Sequence, residues 1–151
     1  CYPDVGILNV TAADKHGNCR IFGAHCTCPE IAMAASHSIV TTEKLIPLDN
    51  IRNYPNLTEI PYTAVDAVVE QPFASYPGAC YGNYWFDMEH ILMFRSASEE
   101  FRKTGKTDAL KEYYERYIFS CETHDDFLSK IPYRTLRRIR EMDGGQPTIL
   151  T

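Results

Sequence analysis

The sequence predicts an α/β fold with a mostly parallel sheet, and three observations predict it. Residues 5–10 (Val-Gly-Ile-Leu-Asn-Val) form a short apolar run with little alternation, the pattern of a strand covered on both faces. Residues 38–42 (Ser-Ile-Val-Thr-Thr) form a second run rich in β-branched residues, and a helix signal separates the two, so strand, helix and strand compose a βαβ unit. After Asp87 the periodicity becomes helical and stays so towards residue 141.

Taken in order, the run at 5–10 is followed by a turn signal at Asp14-Lys-His-Gly-Asn18, and residues 19–23 return as a second short strand. Thr27-x-x-Glu30 with Pro29 in the first turn is a capping box, opening a helix through Ile31, Ala32 and Ala35, small enough to lie close on a sheet. Residues 43–63 carry Pro47, Pro55 and Pro61 with little periodicity and read as an extended surface connection. Residues 64–69 are the next strand. It runs into 71–86, a loop dense in aromatics, glycine and proline.

In an open α/β sheet, ligands collect where loops leave the carboxyl ends of strands, which makes 71–86 the candidate site-forming segment. A rigid aromatic plug or a subunit interface is the competing reading. Further on, Leu110, Tyr113, Tyr114, Tyr117 and Ile118 fall on one helical stripe, and Thr123-x-x-Asp126 is a second capping box. Pro132 opens a last helix with Tyr133, Leu136 and Ile139 on one side. Its Arg134, Arg137, Arg138 and Arg140 are either a phosphate grip or a solvated face. The whole reads as one domain over residues 1–151, with an α/β part at 1–87 and a helical part at 88–145.

The 151 residues carry 15 Lys+Arg against 20 Asp+Glu, a net charge of −5, with no basic block, which argues against a nucleic-acid partner. No apolar run approaches the ~20 residues of a membrane span, so no membrane partner is expected, and the start lacks the basic-then-apolar order of a signal peptide. Six scattered cysteines in a chain long enough to build a core read as reduced thiols in the cytoplasm rather than a disulfide framework. His25-Cys26-Thr27-Cys28, with Cys19 and His37, carries soft metal ligands, but Cys-x-Cys splays its side chains apart, and no metal site is expected.

Three stretches together resemble the A-type chain of glutaconate CoA-transferase and the related family I CoA-transferases. They are Asp4-Val5 with Ala13-Asp14 and Gly17-Asn18; residues 39–43 with Ile51-Arg52-Asn53-Tyr54-Pro55-Asn56 and Ile60-Pro61; and residues 65–69 with Pro72, Tyr76-Pro77, Cys80-Tyr81-Gly82 and Tyr84. Phe119, His124-Asp125 and Phe127-Leu128 continue the likeness. The resemblance implies an open α/β sheet of the CoA-transferase type, of which this chain is the C-terminal half, with C-terminal helices. It also implies two partners, an N-terminal fragment of the same A-type subunit and a B-type subunit.

In that family the nucleophile is a glutamate on the B-type subunit. It attacks the acyl-CoA thioester, forming a mixed anhydride and then a glutamyl-CoA thioester, from which CoA passes to a carboxylic acid. The resemblance therefore implies an acyl-CoA enzyme with its nucleophile on a partner, no permanently bound cofactor, and coenzyme A as substrate. Where relatives read Gly-Ala-His-Pro, this sequence has Ala74-Ser75-Tyr76-Pro77, so a titratable imidazole has become a phenol. That departure keeps two alternatives open, a decarboxylase or hydrolase of a carboxylated acyl-CoA and a non-catalytic structural subunit.

The residues expected at the site are Ser75 and Tyr76, offering hydroxyls to a substrate carboxylate or carbonyl, and Tyr81 and Tyr84, shaping the pocket. Cys1 is a candidate for processing. A first-position cysteine is what an N-to-S acyl shift leaves, with protease trimming or an artificial boundary as the alternatives.

Overall fold

The computed structural model describes residues 2–24 and 26–143; Cys1 and His25, both singled out above, and the residues after 143 lie outside that description. The strands are β1 (Val5–Val10), β2 (Ala12–Ala13), β3 (Cys19–Arg20), β4 (His37–Thr42) and β5 (Ala67–Glu70); the helices are α1 (Cys28–Ala34), α2 (Leu48–Asn53), α3 (Met88–Thr104), α4 (Asp108–Tyr114), α5 (His124–Ser129) and α6 (Tyr133–Met142). β1, β4 and β5 form a parallel sheet in the order β1-β4-β5, with Val5 opposite His37 and Ile39 opposite Ala67. β1, α1 and β4 are the βαβ unit that the sequence predicts. β2 and β3 form a separate antiparallel pair.

Alternation decides which side of the sheet is covered. Leu8, Val10 and Val40 point to one face and are buried with Ala32, Cys19 and Ile60 in the first core cluster. Gly6 lets α1 settle there, since a Cβ at this position would come within 3.2 Å of the Ala35 and Ile31 side chains. The opposite face is open: Val5, Ile7 and Val69 are exposed, Ile7 by 71%. Of the cover expected on both faces of residues 5–10, the described residues supply one side. The run is apolar on both faces, and the described residues pack against only one of them.

A second core joins the loop at 71–86 to the helices. Phe73, Tyr76, Cys80 and Tyr84 from the loop are buried with Tyr117, Ile131 and Ile139, flanked by Tyr113, Phe127, Leu128 and Leu136. α3 starts at Asp87, whose carboxylate accepts the Glu89 and His90 amides, and α5 starts on the Thr123–Asp126 capping box that the sequence predicts.

Several local expectations are corrected. Thr27 precedes α1 without any side-chain cap, because its backbone (φ −112°, ψ 19°) is not in the extended conformation a capping side chain needs. The strand expected at 19–23 is only Cys19–Arg20. The segment 43–63 is not merely extended, since it contains α2 and a 3-10 turn at Pro55–Leu57. A further 3-10 turn, Tyr62–Ala64, delays β5 to Ala67.

In the stripe of aromatic residues, Tyr117 is buried but Ile118 is exposed, because α4 gives way to a π-helical turn at Glu115–Phe119 that rotates the register. Tyr133, expected on the inner side of α6, is exposed at its first turn. No helix among the described residues is long and apolar enough to cross a membrane.

Candidate functional site

The carboxyl ends of the three parallel strands fall at Val10, Thr42 and Glu70, and the loop at 71–86 is fastened to all three. From β1, the Cys80 thiol points at the Val10 carbonyl (3.9 Å), Thr11 Oγ1 donates to the Tyr81 carbonyl (3.2 Å), and Asn83 Nδ2 donates to the Thr11 carbonyl (3.2 Å). From β4, the Glu43 carboxylate accepts the Phe73 amide (2.9 Å). The Gln71 amide, just past β5, returns to the Thr42 carbonyl (2.8 Å). The loop thus lies across the edge of the sheet where open α/β folds bind ligands.

The loop has an inner and an outer side. On the inner side Tyr76 is 7% exposed, and its hydroxyl donates to Asp87 Oδ2 at 2.6 Å. His90 Nδ1 lies 3.3 Å from the Tyr76 oxygen, and His90 Nε2 lies 2.9 Å from the Tyr113 oxygen, giving a chain Asp87–Tyr76–His90–Tyr113 that is buried as far as His90 and ends on the half-buried Tyr113. Tyr84 is fully buried, and its oxygen accepts the Ser75 amide at 2.9 Å. Ser75 is half-buried, and among the described residues its hydroxyl makes no hydrogen bond. Tyr81 is exposed and stacks edge-on with Trp85, which in turn meets Phe86, with ring centroids 5.4 and 5.0 Å apart. Tyr81 also fills the space beside Gly23, where a Cβ would sit 2.4 Å from its ring.

The loop is therefore both a plug and a rim. Of the four residues expected at the site, Ser75 and Tyr81 reach the outer surface. Tyr84 shapes the loop from beneath. Tyr76 is a correction: its hydroxyl is engaged within the protein, because a buried carboxylate eleven residues later takes it.

Burial sets the acid-base character. The Tyr76 and Tyr84 phenols are both pushed far above the ordinary tyrosine range, chiefly by desolvation, Tyr76 also by its bond to Asp87 and Tyr84 also by Glu43. The Cys19 and Cys80 thiols are pushed up to about 12 by burial, so both stay protonated and unreactive at neutral pH. Burial raises the Glu43 carboxyl too, against the Phe73 amide, the Tyr84 hydroxyl and Arg140, which pull it down. His90 is lowered, first by burial, against the pull of Asp87.

Other groups are spread out. Cys19, Cys26, Cys28, Cys80 and Cys121 are free thiols, and among the described residues no three His, Cys, Asp or Glu side chains are gathered as a metal site. The α6 arginines diverge: Arg137 pairs with Glu141 (2.7 Å), Arg138 with Glu89 (3.0 Å), and Arg140 lies 4.4 Å over the Phe73 ring. That is the solvated-face reading rather than a phosphate grip. A groove of about 350 Å³ opens between α3 and α4, lined in part by Met93, Ala97, Tyr113 and Arg116.

Sequence reasoning missed three residues here. Asp87 and His90 carry the signature of a helix start, an acidic N-cap three residues before a histidine, which gives no hint of Tyr76. Arg20 is fully buried with no carboxylate partner among the described residues; its guanidinium donates to the Asn50 side chain, to the Asn50 carbonyl (2.8 Å) and to the Tyr54 carbonyl (3.2 Å), capping the end of α2.

No family model matches the chain. It is 42% identical over 146 residues to an uncharacterized protein of Archaeoglobus fulgidus, covering 94% of this chain and 31% of that one. It is 31% identical over 142 residues to the A-type chain of glutaconate CoA-transferase from Acidaminococcus fermentans, covering 93% of this chain and 42% of that one. The chain thus spans less than half the length of the curated relatives it matches. The crystal structure of the Acidaminococcus fermentans glutaconate coenzyme A-transferase superimposes with a TM-score of 0.81 at 30% identity, over 91% of this chain and 41% of that one. A variant of the decarboxylase AibA/AibB superimposes with a TM-score of 0.52 at 28% identity, over 77% of this chain and 40% of that one. In sequence and in fold, the chain is similar to part of the A-type chain of glutaconate CoA-transferase.

Proposed function

We propose that this chain is the C-terminal half of the A-type subunit of an acyl-CoA enzyme that moves CoA between an acyl-CoA and a mono- or dicarboxylic acid. The observation that carries this reading is the fold similarity to glutaconate coenzyme A-transferase at a TM-score of 0.81 over 91% of the chain. The loop fastened over the strand ends adds physical support, because it offers a free Ser75 hydroxyl and a rim of exposed Tyr81 against half-buried Trp85 where ligands of open sheets bind. The buried Tyr76 and Tyr84 shape that surface from within.

On this reading the nucleophile is supplied from outside this chain. Its buried thiols and phenols stay protonated at neutral pH, and its role on this reading is to bind and orient the acyl group. The attacking glutamate belongs to a B-type partner, coenzyme A is a substrate rather than a resident group, and the enzyme works in the cytoplasm. The open face of the sheet, with Val5, Ile7 and Val69 exposed, suits a cover supplied by an N-terminal fragment of the same subunit.

A second reading, decarboxylation of a carboxylated acyl-CoA, is favoured by the similarity to the AibA/AibB decarboxylase at a TM-score of 0.52. Incubating the complete assembly with labelled acyl-CoA and a panel of carboxylic acids separates the two. CoA transfer that depends on the added acid supports the first reading. Carbon dioxide released without any acceptor supports the second, and neither product means a non-catalytic subunit.

A further inference from the structure

We propose that Glu43 is the positioning residue of the loop at 71–86: from the end of the middle strand its carboxylate holds the Phe73 backbone, and so fixes where Ser75 presents its hydroxyl to the acyl substrate. This rests on the acyl-CoA reading above. Glu43 directly follows β4, the strand paired on both sides, so its backbone is set by the sheet and not by the loop it touches. Its Oε2 accepts the Phe73 amide at 2.9 Å.

Phe73 needs such a hold. Its φ of 59° lies in the left-handed region that a bulky side chain rarely adopts, and a conformation of that kind persists only where the surroundings impose it. The ring is held as well, 4.9 Å from the Tyr84 ring and 4.4 Å below the Arg140 guanidinium. Two residues on, the Ser75 amide is tied to the Tyr84 oxygen at 2.9 Å while the Ser75 hydroxyl stays free. The other carboxylate oxygen, Oε1, is buried and has no hydrogen-bond partner among the described residues. Glu43 thus engages the loop through Oε2.

Two variants in the complete assembly test this. Glu43→Gln keeps an acceptor at the same reach, whereas Glu43→Asp keeps the charge and withdraws it by one methylene. The expected result for Glu43→Asp is a KM for the acyl-CoA raised about tenfold with kcat within about threefold, since a small misplacement of a positioning group weakens binding and orientation. Glu43→Gln should keep KM within about threefold. Hydrogen exchange at the Phe73 amide should quicken about tenfold in Glu43→Asp while β1 and β4 exchange at the wild-type rate.

A wild-type KM in Glu43→Asp overturns the proposal. So does a Glu43→Gln variant as impaired as Glu43→Asp, or a fall in kcat with KM unchanged. Phe73 exchange that does not change in Glu43→Asp overturns the clamp itself. A wild-type assembly that neither transfers CoA nor decarboxylates overturns the functional reading instead, and the exchange measurement still decides whether Glu43 holds the loop.

Discussion

Tyr76→Phe removes a single oxygen and separates an interior role from a substrate-facing one. In the folded chain the Tyr76 hydroxyl donates to Asp87 Oδ2 at 2.6 Å. The other carboxylate oxygen accepts the Glu89 and His90 amides at 3.2 and 3.4 Å, with Arg138 3.8 Å away on a half-exposed side chain. The Asp87 side chain is 5% exposed, so water cannot readily replace the lost donor. A hydrogen bond to a buried charged group contributes about 1.5–3 kcal/mol, and that is the expected loss of stability.

At about 2–4 °C per kcal/mol for a domain of this size, the melting midpoint of the assembled protein should fall by roughly 3–12 °C. Circular dichroism reads that shift, and turnover per folded complex, measured well below the midpoint, should stay within about twofold of wild type. An unchanged midpoint together with a tenfold loss of turnover would refute the reasoning. The hydroxyl would then be working on the substrate and not on Asp87.

Three further outcomes follow from the same geometry. Ile7→Lys, on the open sheet face, should leave the chain's own packing intact but weaken assembly by at least the 1.5–3 kcal/mol that burying an isoleucine side chain contributes, about tenfold or more in affinity; unchanged association in sedimentation would argue that this face stays bare. Ile139→Ala, at the centre of the second core and 1% exposed, should cost about 2–5 kcal/mol, read by urea unfolding, and a loss under about 1 kcal/mol would mean the loop and helices do not share that core. The Glu43 carboxyl has a folded-state pKa above its ordinary 4.5, because burial outweighs its donors and Arg140. The folded chain then binds that proton more tightly than the unfolded one, so the contribution of Glu43 to stability falls as pH rises from the ordinary carboxylate range through the raised one. Glu43→Gln should remove this component of the pH slope, and an unaltered slope in urea titrations across that range would contradict it.

Local chemistry is legible in the sequence wherever neighbours along the chain decide the outcome. The β1 and β4 runs, the helix between them, the Thr123–Asp126 cap and the start of the helices near Asp87 all follow from short-range pattern. The departures come from partners far along the chain. Tyr76 reads as a surface hydroxyl because nothing in residues 74–77 reveals that Asp87 and His90 return beneath it. Arg20 meets Asn50 and Tyr54, and Glu43 meets Phe73, each about thirty residues away, where periodicity carries no signal.

Thr27 has the right residue type for a cap but the wrong backbone, and a π-helical turn moves Ile118 off the stripe on which Tyr117 stays. The apolar character of residues 5–10 is plain from composition, yet composition alone cannot say which face a neighbour covers. The candidate site is half legible. Pattern locates the loop, but the second core decides which of its side chains face outward.

The most direct test of the central claim is the intact mass of each polypeptide after the complete assembly meets an acyl-CoA without any acceptor acid. The account predicts a CoA adduct on the B-type partner and none on this chain, discharged when a carboxylic acid is added and matched by the new acyl-CoA formed. A CoA adduct on this chain, or turnover that releases carbon dioxide with no adduct on either polypeptide, would contradict it.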